Sequence, residues 1–121
     1  MSSTRLTLVL TDEELAAFAE RASAEGLSTA AWLERTATRE AWQVVHRRDW
    51  ARAAHPQRTG RARRFVNLTF PEAAFAAILK VASTILLWRE DAPERVDVGW
   101  FVRCAAMRAL QPVEAAPKAT L

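Results

Sequence analysis

The segments RLTLVLTDEE, from Arg5 to Glu14, and RFVNLTFPEA, from Arg64 to Ala73, carry one pattern twice, about sixty residues apart. In each, a short run of alternating apolar residues leads directly into a helix start. The echo continues at the same offset, matching Leu15 with Phe75, Phe18 with Ile78, Ala22 with Ala82 and Ser23 with Ser83. The pattern is that of a tandem duplication, and it constrains the fold strongly. A lone six-residue strand with one apolar face leaves backbone donors and acceptors without partners, so it must pair. The matching strand of an equivalent unit, in this chain or another, is the simplest partner, and the roughly twenty residues between the units are long enough to let it come from the same chain.

A unit of about 45 residues is near the lower limit for independent folding, so two of them are expected to share one core. Half of the 121 residues are hydrophobic and only three are glycine, which favours a mainly helical protein. No apolar run approaches the roughly 18 residues of a membrane span, and MSSTRLTL has no signal-peptide apolar region, so a cytoplasmic protein without a membrane partner is expected. The single cysteine, Cys104, reads as a buried structural thiol. With His46 and His55 it forms no metal-ligand spacing, so neither metal nor cofactor is expected.

The first unit spans residues 4–45. Leu6, Leu8 and Leu10 face one side of its strand, and Arg5, Thr7 and Val9 the other. Thr11 and Glu14 have capping-box spacing, which starts a helix at about Asp12 with Leu15, Phe18, Ala19 and Ala22 as its apolar stripe. Gly26 can end that helix. Ser28 can cap a second one, which turns Trp32, Leu33, Ala37, Ala41 and Val44 or Val45 inward.

The second unit spans residues 64–111. Val66, Leu68 and Phe70 take the inward strand positions, and Phe65, Asn67 and Thr69 the outward ones. Pro71 is expected in the first helical turn, where its missing N–H is harmless. The stripe then reads Phe75, Ile78, Leu79, Ala82, Ile85 and Leu86, on a helix reaching about Trp88. A longer turn, Arg89 to Arg95, precedes a last helix that Asp97 can cap. Trp100, Phe101, Val102, Ala105 or Ala106, and Leu110 are its apolar residues. Trp32 aligns with Trp100 at an offset of 68, and Leu33 with Val102 at 69. Residues 112–121 read as a loose tail.

Strand, capped helix, glycine turn and capped helix in this order resemble the ribbon-helix-helix family of Arc, MetJ and CopG. The stretch RLTLVLTDEELAAFAERASAEGLSTAAWLERTA carries the likeness most closely, and residues 64–110 depart from it at the longer turn and at Gly99. The resemblance implies a mainly α fold with a short two-stranded antiparallel β-ribbon, here as tandem repeats forming an intrachain pseudo-dimer, monomeric or assembling further on DNA. It also implies a sequence-specific double-stranded DNA-binding protein whose ribbon enters the major groove. By position, Arg5, Thr7, Val9, Phe65, Asn67 and Thr69 would then face the bases. Asn67 suits adenine, Arg5 guanine, and Thr7 or Thr69 offers a hydroxyl or methyl contact.

Phosphate contacts carry over to the second-helix N-termini, at Ser28 and Thr29, and with lower rank at Asp97 and Val98 because of the aspartate charge. In Arc a buried arginine–glutamate–arginine triad lies in the second-helix region. The corresponding positions here are Leu27, Trp32 and Thr36, so no buried ion group is expected. Linked units resemble the TraY-type relaxosome accessory proteins of conjugative plasmids. This implies a role in conjugation, transcriptional regulation or both, with relaxase or other transfer proteins as partners. Two different strand edges in one chain further imply a non-palindromic site.

The formal charge of +3 conceals a basic segment, residues 46–63 together with Arg64. Arg47, Arg48, Arg52, Arg58, Arg61, Arg63 and Arg64 stand there against Asp49 alone, which leaves the rest of the chain acidic. The segment reads as a linker, either phosphate-binding through Arg47, Arg48, Arg58, Arg61, Arg63 and Arg64 or merely solvated. Trp50 reads as packed on the core rather than stacked on a base. No nucleophile motif or phosphate-cradling glycine loop points to an enzyme. The competing reading is an antitoxin-type interaction module, against which the short polar tail argues.

Overall fold

The computed structural model describes residues 3–43, 63–88 and 98–110. In chain order these form β1 (Ser3–Leu10), α1 (Asp12–Ala24), α2 (Thr29–Gln43), β2 (Arg64–Pro71), α3 (Glu72–Trp88) and α4 (Val98–Leu110). Val44, Val45, His46, Trp50, His55, the Arg89–Arg95 turn, Asp97 and residues 112–121 lie outside the described residues. Among the described residues, no helix is long and apolar enough to cross a membrane.

The strands pair with each other, antiparallel and within the chain, from Ser3 opposite Pro71 to Leu10 opposite Arg64. Thr7 faces Asn67, its own counterpart in the sequence echo. Every other cross-strand pair joins positions that are not counterparts in the echo. Alternation does the rest: Leu8, Leu10, Leu68 and Phe70 are buried, and Leu6 and Val66 pack partly buried beside them.

The capping box forms as its spacing requires. Thr11 Oγ1 accepts the Glu14 N–H at 3.1 Å, and the Thr11 N–H donates to Glu14 Oε1 at 3.0 Å. At the other end of α1, Gly26 takes φ 72°, Leu27 N–H donates to the Ala22 carbonyl and Gly26 N–H to that of Ser23. This is a Schellman ending, and it turns the chain within two residues to Ser28, whose Oγ accepts the Ala31 N–H to cap α2. The inward residues of α2 are Trp32, Leu33, Ala37 and Ala41, with the Trp32 ring 5.8 Å from that of Phe18.

The second unit differs from expectation in two places. Pro71 closes β2 instead of opening a helix, and α3 begins at Glu72. A strand end tolerates a residue without an N–H, since the ladder stops there. On α3, Leu79 is 47 % exposed, and the buried stripe runs through Ala74, Ile78, Val81 and Ala82. Spacings of four, three and one keep those four on one face, whereas Leu79 lies about 100° around from Ile78. Ile85 and Leu86 belong to α3, but their side chains lie outside the description.

Helix α4 is buried on nearly all sides, with Trp100, Phe101, Val102, Cys104, Ala105 and Ala106 in a core continuous with that of the first unit. A helix apolar on most of its faces belongs in the interior. Counting from Thr29 to Val98, the first residues of α2 and α4, gives an offset of 69 between the second helices.

The expectation that no buried ion group exists is wrong. Arg103 is 1 % exposed and donates through Nε to Oε2 of Glu14, itself 8 % exposed, whose other oxygen caps α1. Leu27, Trp32 and Thr36 carry no charge, and the ion pair forms elsewhere. Here the carboxylate comes from the first turn of α1 and the guanidinium from the other unit. Removing one partner leaves the other charged and buried, which costs about 3–5 kcal/mol. Arg103→Met should therefore lower unfolding stability by about 3 kcal/mol in a denaturant titration. A loss below about 1 kcal/mol would show that the pair is not desolvated as the structure has it.

Candidate nucleic-acid interface

The outward face of the β1–β2 ribbon carries three cross-strand pairs in order: Arg5 with Thr69, Thr7 with Asn67, and Val9 with Phe65. Alternation that buries the leucines sends these six to the opposite side, so the sequence assignment of this face holds. Arg5, Thr7, Asn67, Thr69 and Phe65 are exposed and Val9 is half-buried. Residues two apart in a strand stand about 6.8 Å apart, so the row spans about 14 Å. At its centre the Thr7 hydroxyl donates to Asn67 Oδ1 at 3.0 Å.

The ribbon is held from behind by both second helices. Glu34 of α2 accepts the backbone N–H of Thr69 through Oε2 at 2.8 Å, which ties the first unit to the second strand. The counterpart of Glu34 at the offset of 69 is Arg103, which reaches from the second unit to Glu14 beside the first strand. Matching positions of the second helices thus each reach the other unit, with opposite charges and to different partners. Sequence reasoning missed both residues. Arg103 had a signal, a single charge inside the apolar run WFVRCAAM; Glu34, on a polar helix face, had none.

Basic residues flank one end of the row. Arg63 and Arg64 are exposed immediately before Phe65, and Arg64 Nε donates to Asp12 Oδ1 at 2.5 Å. Part of the Arg64 charge is therefore offset by the first residue of α1. The hydrogen bond from Arg64, reinforced by its charge and by that of Arg63, holds the Asp12 carboxyl below the usual carboxylate range. Arg47, Arg48, Arg58 and Arg61 lie outside the described residues.

At the α1–α2 turn, Ser28 is exposed and Thr29 begins α2, whose first turn contains no acidic residue. Nearby, Glu25 accepts hydrogen bonds from Arg21 Nε at 2.8 Å, Trp32 Nε1 at 3.2 Å and Arg35 Nη2. These bonds, that from Arg21 first, hold its carboxyl below the usual range although burial opposes them. Two arginines thus offset the acid beside the turn. At the corresponding start of α4, the Val98 side chain is buried. Among the described residues, no group of three or more histidine, cysteine, aspartate or glutamate side chains could hold a metal ion.

Comparison with protein-family models, with curated proteins and with solved structures finds no match for the chain.

Because the carboxyl midpoints of Asp12 and Glu25 are lowered by folding, their stabilisation is present above the ordinary carboxylate range. It is lost as pH falls through the depressed midpoints. A carboxyl-carbon NMR titration should find both midpoints below the ordinary values, and Arg64→Ala should return Asp12 most of the way while leaving Glu25 where it was. An Asp12 midpoint indifferent to that substitution would dismiss the ion pair.

Proposed function

We propose that this chain is a sequence-specific double-stranded DNA-binding protein, a tandem ribbon-helix-helix pseudo-dimer that inserts its β-ribbon in the major groove. The observation that carries the reading is the register of the two strands. Their pairing brings Thr7 onto its own counterpart Asn67, as a twofold ribbon-helix-helix dimer would, while the outward residues on either side of that pair differ chemically. The major groove, about 12 Å wide, admits a two-stranded ribbon, and base edges there present patterns that distinguish all four base pairs.

In this reading Arg5 forks onto guanine O6 and N7, Asn67 onto adenine N6 and N7, and Thr7 and Thr69 supply shorter contacts. Backbone N–H groups at the start of α2, near Ser28 and Thr29, and arginines of the segment before β2 meet phosphates. Each phosphate contact releases condensed counterions, so four such arginines would add a slope of about −3.6 to the log–log salt dependence. The pseudo-twofold geometry with unlike edges favours a non-palindromic site. Such a site suits a directional element, which supports a role as a conjugative relaxosome accessory protein, a transcriptional regulator, or both, in the cytoplasm.

A double Arg5→Ala, Asn67→Ala variant should lose about tenfold or more in affinity for a selected duplex while keeping salt-dependent binding to unrelated duplexes. Full affinity in the variant would remove the ribbon from base reading. Light scattering should give a free-solution mass near 13.5 kDa, that of one chain. A dimer persisting on dilution would overturn the monomeric pseudo-dimer.

A further inference from the structure

Resting on the DNA-binding reading, we infer that the ribbon reads its site with a fixed polarity. A guanine lies at the Arg5–Thr69 end, an adenine step under Thr7 and Asn67, and a thymine methyl at the Val9–Phe65 end. The register places counterparts in the echo at opposite ends of the row, so like is set against unlike: the Arg5 guanidinium against the Phe65 ring, and the Val9 isopropyl group against the Thr69 hydroxyl. At 67 % exposed, Phe65 is the most exposed of the large hydrophobic side chains described, and it stands beside Val9, the half-buried member of the row. Together they make one end of the reading face apolar.

The major groove offers one apolar recognition feature, the C5-methyl group of thymine. Phenyl and isopropyl groups pressed there against guanine would desolvate its O6 and N7 acceptors without replacing their hydrogen bonds. Arg5, in contrast, satisfies both acceptors at once. If the protein were turned end for end on its site, each end would meet the wrong chemistry. The backbone of a pseudo-dimer permits both orientations, and the side chains select one. Four residue steps separate Arg5 from Val9, about 14 Å, which matches roughly four base-pair steps of 3.4 Å. The guanine and thymine should therefore be about four base pairs apart, with the adenine between them.

The test starts from a library of duplexes with a randomised ten-base-pair core, bound separately by the wild type, Phe65→Ala and Arg5→Ala. The wild type should enrich a core with guanine and thymine at that spacing. Arg5→Ala should lose the guanine and keep the thymine; Phe65→Ala should do the reverse, and its retained guanine selection also shows that the variant folds. Replacing the selected thymidine by deoxyuridine removes only the methyl group. It should weaken wild-type binding by about fivefold or more and leave Phe65→Ala unaffected. An equal effect of deoxyuridine on both proteins, or enrichment of a palindromic core, would overturn the polarity while leaving DNA reading by the ribbon intact. Duplex binding with no enrichment would overturn base reading altogether.

Discussion

An extended strand cannot satisfy its own backbone, and the structure is organised around how β1 and β2 satisfy each other. Their antiparallel pairing brings units sixty positions apart in sequence onto one axis. It turns Leu8, Leu10, Leu68 and Phe70 toward the same interior and leaves the opposite side as a row of unlike side chains. The helices then cover a sheet that would be marginal alone, and the two halves form one continuous core because neither is large enough to close its own.

The sequence echo does not extend to the contacts that join the units. Glu14 caps α1 and receives Arg103 from the far unit, whereas its counterpart Ala74 can do neither. Arg103 in turn has Glu34 as its counterpart, which reaches the other strand through a backbone N–H. The buried charge pair therefore has no equivalent between Glu34 and Ala74. The two units share a sequence pattern and differ at the contacts that join them, and the outer face likewise carries Arg5 and Phe65 at matching positions of the echo.

Local signals were legible wherever one residue type has few alternatives. Thr11 and Glu14 announced the capping box, Gly26 the left-handed turn, Ser28 the second cap, and the alternating leucines the buried strand face. Leu79 was misread because the apolar character of α3 is too evenly spread for periodicity alone to say which of two neighbouring residues faces inward. Pro71 was displaced by one position because a strand end and a helix start both accept a residue without an N–H. The outward side of the ribbon was legible too, with five of its six residues exposed and Val9 half-buried, since a period of two admits only one division once the leucines are buried.

The amino-acid sequence by itself determined the repeat, the order of elements, the caps of α1 and α2 and the two faces of each strand, because these depend on neighbours within a few residues. Tertiary structure alone decided that β2 supplies the partner for β1, that their register centres on Thr7 and Asn67, and that Arg103 meets Glu14 across 89 positions of chain. Those outcomes depend on how two faces fit in space. A buried charge can be placed only where a second, distant charge arrives to meet it, and nothing local to either residue specifies that meeting.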